Sequence, residues 1–109
     1  MGTLNYAGSS FEFDDRTLAH LKIIIVQKLR RRESFILSWQ HHTENGGGRS
    51  SIWITDGAPI YFKFHGSKSV SLNREWLDRM MSTTHTVYGL VLDDTPEHVP
   101  DVPQRRTDA

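Results

Sequence analysis

Residues 50–78 of this chain read SSIWITDGAPIYFKFHGSKSVSLNREWLD, and they decide its fold class. Residues 51–55 and 59–65 are short runs rich in isoleucine and aromatic side chains, which predicts two β-strands. Asp56-Gly57 lies between them and is a strong short-range signal for a hairpin turn. A helix is predicted to follow at Asn73, which can cap its first turn.

The two strands are predicted to have one apolar face and one mixed face, because successive side chains of a strand point to opposite sides. The apolar face would pack into a core through Ile52, Ile54, Ile60, Phe62 and Phe64. The mixed face would carry Trp53, Tyr61, Lys63 and His65. A core has no obvious partner for the mixed face, so this is where we expect a function.

The rest of the chain extends this pattern in both directions. Residues 3–7 and 11–13 predict a short hairpin, residues 14–31 a helix, residues 35–41 a strand and residues 89–92 a last short strand. The order ββ-α-βββ-α-β predicts an α+β two-layer sandwich. Its layers would be a mainly antiparallel sheet of about five to six strands and two helices on one face of that sheet.

Length and composition indicate one domain. The chain has 109 residues, 13 basic and 13 acidic side chains and no cysteine. We predict a single domain over residues 1–92 and a disordered, Pro-, acid- and Arg-containing tail over residues 93–109. Without cysteine there is no disulfide or zinc–thiolate site. No apolar run is long enough to span a membrane, so we expect a cytoplasmic protein with no membrane partner.

The mixed face indicates a non-catalytic binding module that contacts nucleic acid, because aromatic side chains stack on bases and cations hold phosphates. The candidate contact residues are Arg49, Trp53, Tyr61, Lys63, His65, Lys68 and Arg74. With zero net charge, we expect weak and salt-sensitive binding to DNA or RNA. Alternatively, the same face, or Ile23 and Ile24 on the first helix, forms a homodimer or a contact with another protein.

Two further segments could contact phosphate. The turn His65-Gly66-Ser67-Lys68 could hold an anion on its backbone N–H groups, or it could be a plain turn. The basic run over residues 28–32 could touch phosphates, or it could only complement the dipole at the C-terminus of the first helix.

Catalysis, metal binding and cofactors are not indicated. His41, His42 and Glu44 are close in sequence, but consecutive residues of a strand point to opposite faces. His20 falls on the polar face of the first helix, where we expect it to be solvated. The Lys-x-Asp-Gly motif of covalent nucleotidyl transfer is absent. We therefore expect no enzymatic activity, no metal site and no cofactor.

Several segments of the chain resemble one family of short actinobacterial proteins. They are residues 14–21 (DDRTLAHL), 28–35 (KLRRRESF), 48–53 (GRSSIW), 64–67 (FHGS) and 72–76 (LNREW). The resemblance implies a domain of unknown function whose members often carry the automatic label of ATP-dependent DNA ligase. It implies no catalytic residues, and the label would then reflect association with DNA ligases. Arg32 stands where relatives are expected to carry glycine, which predicts a slightly longer first helix in this chain.

The order of helix, three strands and helix is also similar to that of the double-stranded-RNA-binding domain. In that domain, basic residues at the start of the last helix grip phosphates. Lys68 and Arg74 fall near the corresponding region of this chain. The likeness is one of topology and implies function only by analogy.

Overall fold

The computed structural model describes residues 1–41 and 46–92, and the predicted order of strands and helices is confirmed there. The strands are β1 (Gly2–Tyr6), β2 (Ser9–Phe13), β3 (Phe35–Gln40), β4 (Arg49–Ile54), β5 (Ile60–Lys63) and β6 (Leu90–Leu92). The helices are α1 (Asp15–Arg30) and α2 (Arg74–Thr83). Neither of these helices is long and apolar enough to cross a lipid bilayer. The tail predicted over residues 93–109 lies outside the described residues.

The strands form two three-stranded sheets, which corrects the predicted single sheet of five to six strands. The first sheet has the order β2-β1-β5 and is antiparallel throughout. In the second sheet, of order β4-β3-β6, β3 is antiparallel to β4 and parallel to β6. Because β4 and β5 belong to different sheets, the hairpin predicted around Asp56-Gly57 is wrong. The α+β class is confirmed.

The phenol of Tyr6 explains where β4 ends. Thr55, the first residue after β4, donates its backbone N–H to Oη of Tyr6 at 2.8 Å. Tyr6 is buried and belongs to β1, so this bond joins the two sheets at the point where the chain leaves the second. The chain then pairs with β1 instead of β4: Ile60 lies opposite Tyr6, and Phe62 lies opposite Leu4.

One apolar core joins both sheets and both helices. Trp39 of the second sheet meets Phe11 and Phe13 of the first sheet edge-on, with ring centroids 5.1 and 5.3 Å apart. Such edge-to-face contacts add to the burial of the rings themselves. The aliphatic residues that are fully buried in this core are Leu4, Leu18, Leu21, Ile25, Leu37, Ile54 and Leu90. The two sheets therefore share one apolar core, although among the described residues no strand pair connects them.

His20 is buried rather than solvated, which corrects the sequence prediction. Its Nε2 accepts the backbone N–H of Asn73 at 2.9 Å, and its Nδ1 lies 2.7 Å from the carbonyl oxygen of Arg16. Because Nε2 is the acceptor, Nδ1 carries the proton and donates to that carbonyl. The ring also packs on Trp76, with centroids 4.3 Å apart. His20 thus fixes α1 to Asn73, the N-cap of α2.

The end of α1 is a Schellman motif with Arg32 in the left-handed conformation. The N–H groups of Arg32 and Glu33 donate to the carbonyl oxygens of Leu29 and Lys28, at 3.0 Å each. Arg32 has a φ of 59°, a backbone conformation that favours glycine. The helix ends at Arg30, so the longer first helix predicted from Arg32 is wrong. The turn requires the same backbone conformation whether the residue is arginine or glycine.

We predict that Arg32→Gly stabilises the domain by about 0.5–1 kcal/mol, because it removes left-handed strain but adds freedom to the unfolded chain. The ion pair that Arg32 makes with Asp56, at 3.5 Å on the surface, adds little to offset this. Urea denaturation measures the change. Arg31→Gly is the matched control, because Arg31 has a φ of −90° and should lose stability instead. Equal losses in both variants would contradict this reading of the turn.

Candidate interaction surface

The candidate contact residues are all exposed, but they occupy separate parts of the fold. Arg49 and Trp53 lie on β4, Tyr61 and Lys63 on β5, His65 and Lys68 in the loop after β5, and Arg74 at the start of α2. The predicted alternation is seen within each strand, since Ile54 is buried next to exposed Trp53. No single sheet carries the whole predicted set, so the residues are best described as lying on two outer faces, a loop and the start of α2.

The outer face of the second sheet, which we call the Trp53 face, combines apolar and small polar side chains. It consists of Ile36, Ser38 and Gln40 from β3, Arg49, Ser51 and Trp53 from β4, and Val91 from β6. Trp53 lies opposite Ile36 and is 60% exposed, while Val91 is 48% exposed. In the next row, the hydroxyls of Ser38 and Ser51 are 2.7 Å apart. The face therefore presents one exposed indole, Trp53, and a single cation, Arg49, which lies two rows away at the other end of β4.

The outer face of the first sheet is more polar and has mixed charge. Tyr61 is 56% exposed and lies opposite Asn5 on β1. Lys63 lies opposite Thr3, which pairs on its other side with Glu12. An acid therefore lies two strands away from the only lysine of this face, in the same row. This arrangement gives the face no net positive charge among its paired residues.

The turn at His65 and Gly66 is held by an acidic side chain rather than left open for an anion. Asp15 accepts the backbone N–H groups of His65 at 3.0 Å and of Gly66 at 2.8 Å. The Gly66 N–H, followed by the His65 N–H, lowers the pKa of Asp15 below its ordinary value. These two donors already bind the first turn of α1, which favours the plain turn over an anion site at His65 and Gly66.

The basic run at the end of α1 is also partly used within the fold. Lys28 is only 4% exposed, and its ammonium lies 2.9 Å from the carboxylate of Glu33. The hydrogen bond from Lys28 lowers the pKa of Glu33. Lys28 is thus a structural residue of the helix end, and the exposed cations of this run are Arg30, Arg31 and Arg32.

The described residues contain one contact with the composition of a catalytic pair. Nε2 of His41 lies 2.7 Å from Oγ of Ser50, a pairing that follows from the β3–β4 register and that the sequence did not single out. The ring of His41 also contacts that of Trp39, with centroids 6.4 Å apart, but within residues 1–41 and 46–92 no second hydrogen bond holds the imidazole, and no three metal-ligating side chains come together. His42 and Glu44 lie outside the described residues. A serine nucleophile requires a base that is itself oriented.

A groove of about 630 Å³ lies between the two helices, where Ile23 and Ile24 were predicted to meet something beyond the sheet. Ile24 is buried, and Ile23 lines the groove with Leu72, Leu77 and Met81. Arg74 and Asp78 form part of its polar rim. Ile23 and Ile24 were predicted to contact a second subunit or another protein. In the structure, both side chains lie against α2 and the segment that precedes it.

Comparison with known families assigns the chain to a family whose function is unknown. Residues 1–95 match the model of a family described as Domain of unknown function (DUF7882), and the chain belongs to this family. No curated protein and no solved structure matches the chain significantly. The resemblance predicted to a family of unknown function is confirmed at that level. The likeness to the double-stranded-RNA-binding domain is not supported by the topology, because the three middle strands are divided between two sheets.

We predict that Asp15→Asn destabilises the domain at neutral pH, because an amide can accept only one of the two N–H groups and opposes the other with its own donors. Since the folded-state pKa of Asp15 lies below 3.8, its carboxylate contributes stability above that pH. This contribution is lost as the pH falls through the folded-state pKa. The difference in unfolding free energy between wild type and Asp15→Asn, measured by urea denaturation, should therefore shrink below about pH 3.8.

Asp14→Asn is the matched control for this prediction. Asp14 is the N-cap residue of α1 and is exposed, and its side chain makes no capping hydrogen bond. Its replacement should change stability little at any pH. If Asp14→Asn and Asp15→Asn lose the same stability with the same pH profile, the proposed clamp on the turn is wrong.

Proposed function

We propose that this domain is a non-catalytic binding module that contacts a protein partner through the Trp53 face. The observation that carries the proposal is the 60% exposure of Trp53 on an otherwise ordered strand. The other two tryptophans, Trp39 and Trp76, are buried in the core. Tryptophan is the side chain most enriched among residues that dominate binding energy at protein interfaces.

The neighbours of Trp53 suit a protein interface. Ile36 flanks it directly across the strand pair, and Val91 adds a second exposed apolar side chain on the same face. The serine pair in the next row provides small hydroxyls that can hydrogen-bond at a rim. An aromatic anchor beside aliphatic residues with a polar border is the usual anatomy of a protein interface.

The charges favour a protein partner over nucleic acid. Arg49 is the single charged residue among the paired positions of the Trp53 face. The second aromatic predicted to stack, Tyr61, lies on the other sheet with Lys63 and Glu12 as its charged neighbours. Nucleic-acid binding of useful strength needs several phosphate contacts, and the net charge of the chain is zero.

The absence of catalysis is part of the proposal and rests on the His41–Ser50 contact. That pair is exposed at the end of a strand pair rather than enclosed in a cleft, and among the described residues no second hydrogen bond holds the His41 ring. A base that is solvated and lacks such a hydrogen bond supplies little of the advantage that acid–base catalysis requires.

Site-specific photocrosslinking in cells tests this function. A p-benzoylphenylalanine in place of Ser51 lies between Arg49 and Trp53 and leaves both intact. It should yield a discrete protein adduct, and adding Trp53→Ala should lower the yield at least about tenfold, as expected for an interface anchor. Trp53→Ala should change folding stability by less than about 1 kcal/mol, because the side chain is mostly exposed.

The same photoreactive residue in place of Glu12 is the control, because Glu12 lies on the outer face of the first sheet. Equal adducts at both positions, or none at position 51, would overturn the proposal. An adduct at position 51 that disappears on nuclease treatment would instead identify the partner as nucleic acid. That outcome would favour the association with DNA ligation that the sequence resemblance implied.

A further inference from the structure

We propose that the protein partner is a second copy of this chain, which pairs along the β4 border of the Trp53 face by antiparallel pairing of the two β4 strands at their free edges. This inference rests on the proposed function and names its partner. Pairing in this way would extend the second sheet of each copy into one sheet of order β6-β3-β4-β4-β3-β6. The free edge of β4 presents a row of backbone N–H donors and C=O acceptors. The partner that matches such a row is another β-strand.

The hydrogen-bond pattern shows which groups of β4 face outward. His41 donates its backbone N–H to the carbonyl oxygen of Gly48 at 2.9 Å, which makes this pair the hydrogen-bonded type at the open end of the β3–β4 ladder. Hydrogen-bonded and non-hydrogen-bonded pairs alternate along an antiparallel ladder. Arg49, Ser51 and Trp53 therefore occupy the non-bonded positions, and their N–H and C=O groups point away from β3. The backbone N–H and C=O groups of these three residues are therefore available to pair with another strand.

Among the described strands, β4 is the edge with the least protection against pairing. It has six residues, RSSIWI, with no lysine, proline or glycine. The other edge strands are each blunted: β2 carries Glu12, β5 carries Lys63 and follows Pro59, and β6 has only three residues. Charged side chains, prolines and short length are the devices that keep edge strands from pairing with other chains. β4 is the longest of these four edge strands, has no proline and carries its one charge, Arg49, at its first residue, which leaves it the edge most available for partners.

The free groups select one register. Centring the pair on Ser51 of both copies places Arg49 of each copy opposite Trp53 of the other, and all three outward-facing residues then pair. Shifting the centre to Ile52 would place Arg49 opposite Thr55, whose N–H already binds Tyr6. A twofold axis perpendicular to the sheet keeps the outer faces of both copies on the same side.

This register is self-complementary in its side chains. On the outer face, the guanidinium of Arg49 meets the exposed indole of Trp53 from the other copy, twice by symmetry, and arginine over tryptophan is a favourable cation–π pair. On the inner face, half-buried Ile52 lies beside Ser50 of the other copy. In the dimer, Arg49 of each copy thus pairs with Trp53 of the other copy.

Sedimentation equilibrium of the purified chain tests the self-association. We expect a reversible dimer of twice 12.5 kDa, whose dissociation constant rises about tenfold in Trp53→Ala and in Arg49→Ala, since each removes both symmetric cation–π pairs. The matched controls are Tyr61→Ala and Lys63→Ala, an exposed aromatic and a cation on the other sheet, which should leave the constant unchanged. A chain that remains monomeric up to millimolar concentration would overturn the proposal.

A designed disulfide tests the register independently of any loss of stability. The chain has no cysteine, so Ser51→Cys introduces a single thiol. In the proposed register the two copies of residue 51 form a hydrogen-bonded pair with Cα atoms about 5.5 Å apart, within disulfide range. Mild oxidation should link the dimer rapidly. Ser38→Cys, on the same row but one strand inward, places the thiols about 14 Å apart and should not link.

The outcomes separate this inference from the proposed function. A monomer in solution, together with an adduct at position 51 to a different protein in cells, overturns self-pairing and leaves the binding module standing. Equal disulfide formation at positions 38 and 51 overturns the register. A monomer in solution without any specific adduct in cells overturns both proposals.

Discussion

The hydrogen bond between the Tyr6 phenol and the backbone of Thr55 governs how the second half of this chain is arranged. It satisfies the first N–H after β4 with a side chain from the other sheet. A buried N–H must find an acceptor, and here the acceptor lies on β1 rather than on a following hairpin strand. The chain therefore crosses from one sheet to the other between β4 and β5. That crossing places β4 at the edge of the second sheet and Tyr61 on the other sheet.

The crossing has two consequences for function. Among the described residues it leaves β4 with a single neighbouring strand, β3, so that no described strand pairs with the other side of its backbone. It also separates Trp53 from Tyr61, which an ordinary hairpin would have placed on one continuous face. The first consequence leaves an edge that could pair, and the second separates the aromatic and basic residues that were predicted to bind nucleic acid. Both are the basis of the proposal that this domain binds a protein strand, with Trp53 as the aromatic anchor.

Local patterns in the sequence were sufficient for the elements but not for their partners. Alternation correctly assigned Ile54 to the interior and Trp53 to the surface, and Asn73 caps α2 as predicted, accepting the N–H of Trp76. The predicted pairing of β5 with β4 was wrong. It relied on Asp56-Gly57, a local turn signal, whereas the actual partner, β1, is distant in sequence. Strand pairing is a non-local choice, and a good turn signal does not exclude a better-matched distant strand.

The residues that sequence reasoning misplaced share one physical feature, which is a polar side chain satisfied by a distant backbone. His20 looked solvated on a helical projection, yet it accepts the N–H of Asn73 in the core. Asp15 lies in the first turn of α1, where the sequence gives no sign of a distant partner, yet it accepts the N–H groups of His65 and Gly66. A helical projection cannot show such partners, because they come from segments about 50 residues away. The sequence also did not show that β4 is an edge strand, because this depends on β5 pairing with the distant strand β1.

The strand partner of β5 is the feature on which the account depends, and backbone proton–proton contacts measured by NMR test it directly. The account predicts cross-strand Hα and amide contacts between β5 and β1, with Phe62 next to Leu4 and Ile60 next to Tyr6. It predicts no corresponding contacts between β4 and β5. A ladder of contacts running across Asp56-Gly57 from β4 to β5 would contradict it, because β4 would then be an inner strand with no free edge to offer.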